Sequence, residues 1–194
     1  PPAACQAVDN GPHQCLDARL ERGDVVGGGR PDTQEHDAAR RKHEAFADPR
    51  SEFTSYLNLW NAYRRERRGG ERSLRAWCRD QYLSAARLRE WHDVHGQLHE
   101  LVQGLGWRTR HEAADYRALH QAVLAAFIDF IAEHEDGVVY RGMRDSRAQL
   151  FQGTPLAKKR PRWLVAAERV ATTIPDPPPR ADGVAFMSAG WNRG

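Results

Sequence analysis

The chain has 194 residues, of which 40% are hydrophobic and 28% are charged, a composition typical of a folded protein with one large or two small domains. Its 29 basic and 26 acidic side chains leave a net charge of +3 with histidines neutral, so total charge alone does not indicate nucleic-acid binding. No apolar run is long enough to span a bilayer, and we expect no membrane partner.

The first 30 residues are rich in proline and glycine and follow no helical or strand period, so we expect them to be irregular or disordered. The chain begins at Pro1 rather than at methionine, which we interpret as a sign of a fragment or a processed product. Cys5, Cys15 and Cys78 are an odd set without a framework spacing, which favours a reducing, cytoplasmic setting. Together with His13 they do not supply four clearly converging ligands, so we expect no metal site.

Residues 31–47 are polar and helix-forming, and they lead into a stronger helical pattern over residues 49–67. The apolar residues of that pattern recur at spacings of three and four and so share one helical face: Phe53, Tyr56, Leu57, Trp60 and Tyr63. Asp48 is the expected N-cap, Pro49 suits the first helical position, and a diglycine ends the helix.

A second amphipathic pattern follows over residues 73–105, with Ser73 as its expected cap, and predicts one helix or two nearly collinear ones. Two such helices joined by a short loop should pack antiparallel as a helical hairpin, with Trp60, Trp77 and Trp91 in one core. Cys78 lies on the apolar stripe, where a thiol usually serves only as packing.

A third helix is predicted over residues 115–132, with Asp115 as its cap and His120 as a hydrogen-bonded core histidine rather than a ligand. The helical period stops at Gly137. Short segments rich in strand formers follow at residues 138–141, 148–151 and 163–170. Helices followed by short strands predict an α+β fold.

The strand-forming stretch is strongly basic. Residues 138–173 contain eight basic and two acidic side chains, a net charge of +6. The candidate phosphate contacts are Lys158, Lys159, Arg160 and Arg162, with Trp163 as a stacking ring and Arg141, Arg144 and Arg147 as a second rim. Two alternatives stay open: the basic residues form an ordinary solvated turn, or Trp163 is a buried residue of the sheet.

The remaining sequence carries no recognisable catalytic motif. Residues 174–194 begin with closely spaced prolines and are expected to be disordered. No phosphate-binding loop of the G-x-x-x-x-G-K-[ST] type occurs, and no H-E-x-x-H motif occurs. We therefore predict no catalytic residue and no cofactor-binding residue in this chain.

Short motifs in the helices and strands resemble the C-terminal region of the bacterial HrpA-type DEAH-box RNA helicases, in the same order. The matching residues are 47–53, 57–60, 77–79, 82–83, 87–91 and 97–98 in the helices, and 120–131, 150–156, 158–159, 161–163 and 166–168 beyond them. The resemblance extends over about residues 30–173. Because several separated motifs occur in order, it is more specific than any one of them alone.

The resemblance implies a helical ratchet-like domain (31–112) and an OB-type domain with a leading helix (113–173). Composition adds an irregular start (1–30) and a proline-rich tail (174–194) to these two domains. It implies an accessory segment that helps to hold single-stranded RNA over the helicase motor. ATP, Mg²⁺ and the ATPase domains belong to the full-length family members, and no position here matches their ATP-binding motifs.

Two departures from the family accompany this resemblance. The first 29 residues do not resemble the winged-helix end expected there, and the proline-rich tail replaces further barrel sequence. We therefore expect a truncated or frame-altered copy, and the sequence leaves open whether the barrel closes. The alternative function is a free-standing helical scaffold that binds another protein through its tryptophan-rich helices.

Overall fold

The structure is a computed structural model that describes residues 33–109, 114–150, 154, 156–171 and 185–188. The chain divides into two compact units, each treated separately below. The helical unit comprises Pro1–Phe46 and Tyr56–Glu112, and the strand unit comprises Ala47–Ser55 and Ala113–Gly194. The expectation of disorder in the first 30 residues lies outside the described part of the chain.

The described residues of the helical unit form four helices, the second of which begins in residues of the strand unit. They are α1 (Thr33–His43), α2 (Glu52–Arg67), α3 (Glu71–Asp80) and α4 (Ala85–Gly104), with a short 3-10 turn at Glu44–Phe46. Gly69 and Gly70 follow α2 as expected, and their amides bond back to Glu66 and Arg67. The predicted helices are therefore present, although several boundaries differ.

The N-terminus of α2 is capped by Ser51 rather than by Asp48. The Ser51 hydroxyl accepts the Thr54 amide at 3.4 Å, and its carbonyl accepts the Ser55 amide at 3.2 Å. Asp48 instead accepts the Arg50 amide at 2.8 Å, a side-chain turn that precedes the helix. The sequence interpretation placed the start too early because Asp48 and Ser51 are both good capping residues.

The long pattern over residues 73–105 resolves into two helices rather than one. The chain breaks at Tyr82, which has a φ of 55°, and Ser84 caps α4 by accepting the Arg87 amide. The prediction of Ser73 as a cap is wrong, because α3 already begins at Glu71 behind Gly70, whose φ of 88° suits glycine.

The core of the helical unit is built where α2, α3 and α4 bring their apolar faces together. Its buried members are Leu59, Trp60, Tyr63, Leu74, Cys78, Leu83 and Leu88. Trp77 and Trp91 are partly buried against this cluster, so the predicted sharing of one core by three tryptophans is confirmed. Burial raises the pKa of the Cys78 thiol to about 11, which makes it unreactive packing.

The strand unit opens with helix α5 (Tyr116–Ala126), capped as predicted by Asp115, whose carboxylate accepts the Ala118 amide at 2.7 Å. Six strands follow: β1 (Ile131–Asp136), β2 (Val139–Gly142), β3 (Arg147–Leu150), β4 (Trp163–Val165), β5 (Glu168–Ala171) and β6 (Ala185–Ser188). The prediction that the helix continues to residue 132 is wrong, since Ile131 and Ala132 begin β1.

The strands form one open sheet in the order β4-β1-β2-β3-β6-β5. Neighbours are antiparallel except β3 and β6, which run parallel. The end strands β4 and β5 do not pair in the described sheet, so it is not a closed barrel. The α+β prediction is thus confirmed. The prediction of disorder over residues 174–194 is wrong at β6, which pairs with β3 and β5, and the other residues of that tail lie outside the described part of the chain.

The inner face of the sheet carries the core of the strand unit. Its buried residues are Ala132, Tyr140, Ala148, Leu150, Leu156, Leu164 and Ala166. Side chains alternate between the two faces of a strand, so the residues next to these project outward. The outward face carries three of the predicted binding residues, Arg141, Arg147 and Trp163.

Candidate functional site

Four residues form a continuous row across the outward face of the sheet. Trp163 of β4 is paired with Glu133 of β1, Glu133 with Arg141 of β2, and Arg141 with Arg147 of β3. Directly opposed residues project to the same face, with Cβ atoms about 5 Å apart. We call these four residues the outer row; it unites residues that are separated by up to 30 positions in sequence.

Trp163 lies on the outward face, where 47% of its surface is exposed. The adjacent Leu164 is only 1% exposed and belongs to the core. The alternation therefore resolves the question that the sequence left open between an exposed and a buried ring. The exposed face of this indole can stack on a planar ligand without any change in the packing of the core.

Two carboxylates hold arginines on this face. Arg162 donates from Nε and Nη2 to Glu133 Oε1 at 3.3 and 3.2 Å. Arg147 donates to both oxygens of Glu135, at 3.0 and 3.1 Å. The arginine side chains remain 79% and 60% exposed, so both ion pairs are open to water. The Arg162 pair uses only one carboxylate oxygen and is therefore weak, so Arg162 can exchange partners.

The basic turn, residues 156–162, enters β4 and carries the exposed side chains Lys158, Lys159, Arg160 and Arg162. Its backbone is held in place by a buried residue at the start of the turn. Leu156 is fully buried, and its carbonyl accepts the amides of Lys159 and Arg160, both at 3.0 Å. Arg160 has a φ of 45°, the left-handed conformation that reverses the chain before Pro161.

Two further hydrogen bonds tie the end of the basic turn to the sheet. The buried Tyr140 hydroxyl donates to the Pro161 carbonyl at 3.0 Å, and the His134 amide donates to the Arg162 carbonyl at 2.8 Å. Burial raises the pKa of Tyr140 to about 12, so its hydroxyl remains a donor at neutral pH. Arg162 and Trp163 therefore emerge from a fixed backbone.

The structure unites some of the predicted binding residues and leaves others apart. Arg141, Arg147 and Trp163 belong to the outer row, and Arg162 joins it through Glu133. Arg144 is exposed in the connection between β2 and β3, with a φ of 56°. Within the described residues no hydrogen bond or ion pair links Arg144, or the lysines of the basic turn, to the outer row.

Glu133 and Glu135 are the residues that sequence reasoning missed. They precede the basic stretch of residues 138–173, so the net charge of +6 counted over that stretch does not include their two negative charges. Residues 131–165, from β1 to the end of β4, hold seven basic and four acidic side chains, a net charge of +3. The alternation of Glu133 and Glu135 with Ala132 and His134 was a possible signal, but a weak one, because alanine and glutamate are poor strand formers.

A second polar cluster has the outward form of a nucleophile and base, but it is structural. The Ser51 hydroxyl lies 2.6 Å from His120 Nε2, and His120 Nδ1 lies 2.5 Å from the Tyr116 carbonyl. A carbonyl only accepts, so Nδ1 carries the proton and Nε2 accepts from the hydroxyl. Ser51 and His120 are 0% and 1% exposed, which leaves no space for a substrate. The prediction of a hydrogen-bonded core histidine is confirmed.

The described part of the chain contains no cluster of metal ligands and no helix that could span a membrane. No group of three or more histidine, cysteine, aspartate or glutamate residues there could hold a metal ion. Among the helices described, none has both the length and the apolar character required to cross a membrane. The outer row and the basic turn are the surface whose chemistry most clearly suggests a ligand.

Comparison with known proteins confirms the resemblance found in the motifs. The chain is 36% identical to the "ATP-dependent RNA helicase HrpA" of Escherichia coli over 138 residues, which are 70% of this chain and 11% of that protein. It is 31% identical to the "ATP-dependent RNA helicase HrpA homolog" of Haemophilus influenzae over 142 residues, 72% of this chain and again 11% of the relative. No family model matches the chain.

Proposed function

We propose that this chain, which is related over most of its length to HrpA-type ATP-dependent RNA helicases, is an RNA-binding accessory segment of such a helicase. It would hold single-stranded RNA on the sheet of its strand unit while ATPase domains elsewhere move the strand. The chain matches only 11% of the length of these relatives, so helicase activity belongs to the proposed whole protein. We also propose that residues 31–112 correspond to the ratchet-like domain and residues 113–173 to the OB-type domain of such a helicase. The protein would act in the cytoplasm.

The observation that carries the proposal is the outer row. It places the half-exposed Trp163 in register with Arg141 and Arg147, next to the basic turn. A base can stack on an indole while arginine and lysine contact the phosphates on either side of it. Single-stranded RNA offers both features in every nucleotide, whereas an acidic protein surface offers only the charge.

The expected contacts are mainly with phosphates, so binding should depend steeply on salt and weakly on sequence. For single strands, log K falls against log salt with a slope of roughly −0.7 per neutralised phosphate. A combined Lys158→Ala and Lys159→Ala variant should therefore flatten the slope by about 1.4. Fluorescence anisotropy with a labelled 12-nucleotide RNA over a salt series measures both affinity and slope.

Arg117→Ala is the matched control, because it removes an exposed positive charge from α5 of the same unit. It should leave the slope of the parent chain unchanged. If the double lysine variant keeps both the affinity and the slope of the parent, the basic turn does not contact RNA. If the parent chain itself binds no RNA at low salt, the proposed function is wrong.

One observation favours the alternative of a protein-binding scaffold. Leu101, Leu105 and Trp107 at the end of α4 are 62%, 68% and 67% exposed. Neighbouring exposed apolar side chains often mark a surface that another protein covers. A scaffold without a nucleic-acid role would bind no RNA even at low salt, so that result would favour this second function.

A further inference from the structure

We infer that the outer row reads the identity of one base, and that this base is guanine. The reading group is Glu133, with Trp163 as the stacking surface and Arg162 as the group that yields its place. This inference rests on the proposed function, because it concerns how the same surface would bind RNA. It adds a base-specific position to a surface whose other contacts would be made with phosphates.

The geometry of Arg162 shows that one planar group can contact Trp163 and Glu133 together. Its guanidinium carbon lies 6.0 Å from the centre of the Trp163 ring, at the outer limit of a cation–π contact. The same guanidinium donates to Glu133 Oε1 from Nε and Nη2. The free protein therefore holds a flat, two-donor group beside its exposed indole and on its carboxylate.

The Watson–Crick edge of guanine offers the same kind of donor pair as a guanidinium. Its N1–H and N2–H groups lie side by side and can donate to the two oxygens of a carboxylate. Adenine and cytosine present an acceptor next to their amino group, and uracil presents a single N–H between two carbonyls. Guanine alone among the four bases can thus satisfy both oxygens of Glu133 while it stacks on Trp163.

Arg162 can give up this position at little cost. Its side chain is 79% exposed, and an ion pair so open to water contributes little to stability. In the described residues Glu133 Oε2 takes no hydrogen bond, so only Oε1 has to change partner. A phosphate of the bound strand would offer the released arginine a new anionic partner.

Three labelled RNA 12-mers test the inference with the full chain by anisotropy at one fixed, low salt concentration. They are all-uridine, uridine with one central guanosine, and uridine with one central inosine, which keeps N1–H but lacks the amino group. The parent chain should bind the guanosine RNA at least about fivefold more tightly than the all-uridine RNA. Inosine should give an intermediate affinity.

Glu133→Gln should reduce the guanosine preference to within about twofold. Its affinity for all-uridine RNA should stay the same or rise, because Arg162 loses its carboxylate partner and becomes available to phosphate. A purely structural role of Glu133 would instead weaken both complexes together and lower the melting temperature.

Glu135→Gln is the matched control, since Glu135 also lies in β1 and holds an arginine but has no cross-strand pairing with Trp163. It should keep the full guanosine preference. Equal affinity of the parent for all three RNAs would overturn the base-reading role and leave the proposed function standing. A preference that survives Glu133→Gln would also overturn it, whereas failure of the parent to bind any of these RNAs would overturn both.

Discussion

Two tryptophans mark the difference between the helical core and the outer row. Trp60 is 7% exposed, and its ring centre lies 5.5 Å from that of Tyr63 and 4.8 Å from that of Trp91. Trp163 is 47% exposed, and its neighbours Glu133 and Arg162 are charged. A ring enclosed by other rings stabilises the fold, while a ring open to water among charged groups is available to a ligand.

The largest expected effect is the difference between these two tryptophans in the free energy of unfolding that each contributes. Trp60→Ala should lower the free energy of unfolding of the helical unit by about 3–5 kcal/mol, because it removes a large buried side chain from close packing. Trp163→Ala is the comparison variant and should cost clearly less, about 1 kcal/mol, because nearly half of the Trp163 side chain is already exposed. Urea denaturation followed by circular dichroism measures both changes.

Equal losses in the two variants would contradict this contrast, since the outer row would then be part of a core. A loss of less than about 1 kcal/mol in Trp60→Ala would show that the aromatic cluster packs loosely, contrary to the burial that the structure gives it.

The next effect concerns the polar core of the strand unit. His120→Leu should cost about 1–3 kcal/mol at pH 8, because it leaves the Ser51 hydroxyl and the Tyr116 carbonyl without their buried partner. Phe53 is a suitable control, because it contacts the His120 ring but is only half-buried. Phe53→Leu should cost less than His120→Leu in the same urea denaturation.

The same histidine should make the strand unit sensitive to acid. Burial, partly offset by the Tyr116 carbonyl and by Asp48, lowers the pKa of His120 below its ordinary value of 6.5. The unfolded chain then binds the proton more readily than the folded chain does. The contribution of the neutral His120 ring to the free energy of unfolding is therefore fully present above pH 6.5 and is lost as the pH falls towards the lower pKa of the folded state. Burial lowers the pKa values of His92 and His95 as well, so the helical unit should respond with the same sign.

Nuclear magnetic resonance of the histidine rings checks this directly. The midpoint of the His120 titration should lie below pH 6.5, and the pH dependence of strand-unit stability should be smaller in His120→Leu. A His120 pKa at or above the ordinary value of 6.5 would contradict the burial of a neutral ring at this position.

The smallest expected effect concerns the attachment of the basic turn. Tyr140→Phe removes the hydroxyl that donates to the Pro161 carbonyl but keeps the buried ring. It should cost about 0.5–1.5 kcal/mol in thermal or urea unfolding, the usual net value of one hydrogen bond. An unchanged stability would mean that the turn does not depend on this bond.

The helices were the part of the fold that local sequence could predict. Residues such as Trp60 and Tyr63 repeat at helical spacing, and a helix is formed from contacts between near neighbours. Boundaries failed where two capping residues competed, as at Asp48 and Ser51. Strand β1 was missed because its residues have little strand preference, and its conformation depends on hydrogen bonds to β2 and β4.

The candidate site shows the same limit. The sequence identified Trp163 and its surrounding arginines by residue type, but not that β1 separates Trp163 from Arg141. Only the register of the strands places Glu133 between them. Register is decided by pairing between distant segments, so a charge count along the chain could not predict a carboxylate in the middle of a basic surface.

Binding of single-stranded RNA by Trp163→Ala tests the central claim most directly. The variant and its parent would be titrated with the same labelled 12-nucleotide RNA over a salt series, with melting temperatures measured in parallel. The account predicts a loss of about 1–3 kcal/mol of binding free energy and an unchanged salt slope in a variant that remains folded at the temperature of the titration. Parent-like affinity in a folded Trp163→Ala variant would contradict the assignment of the outer row as the RNA surface.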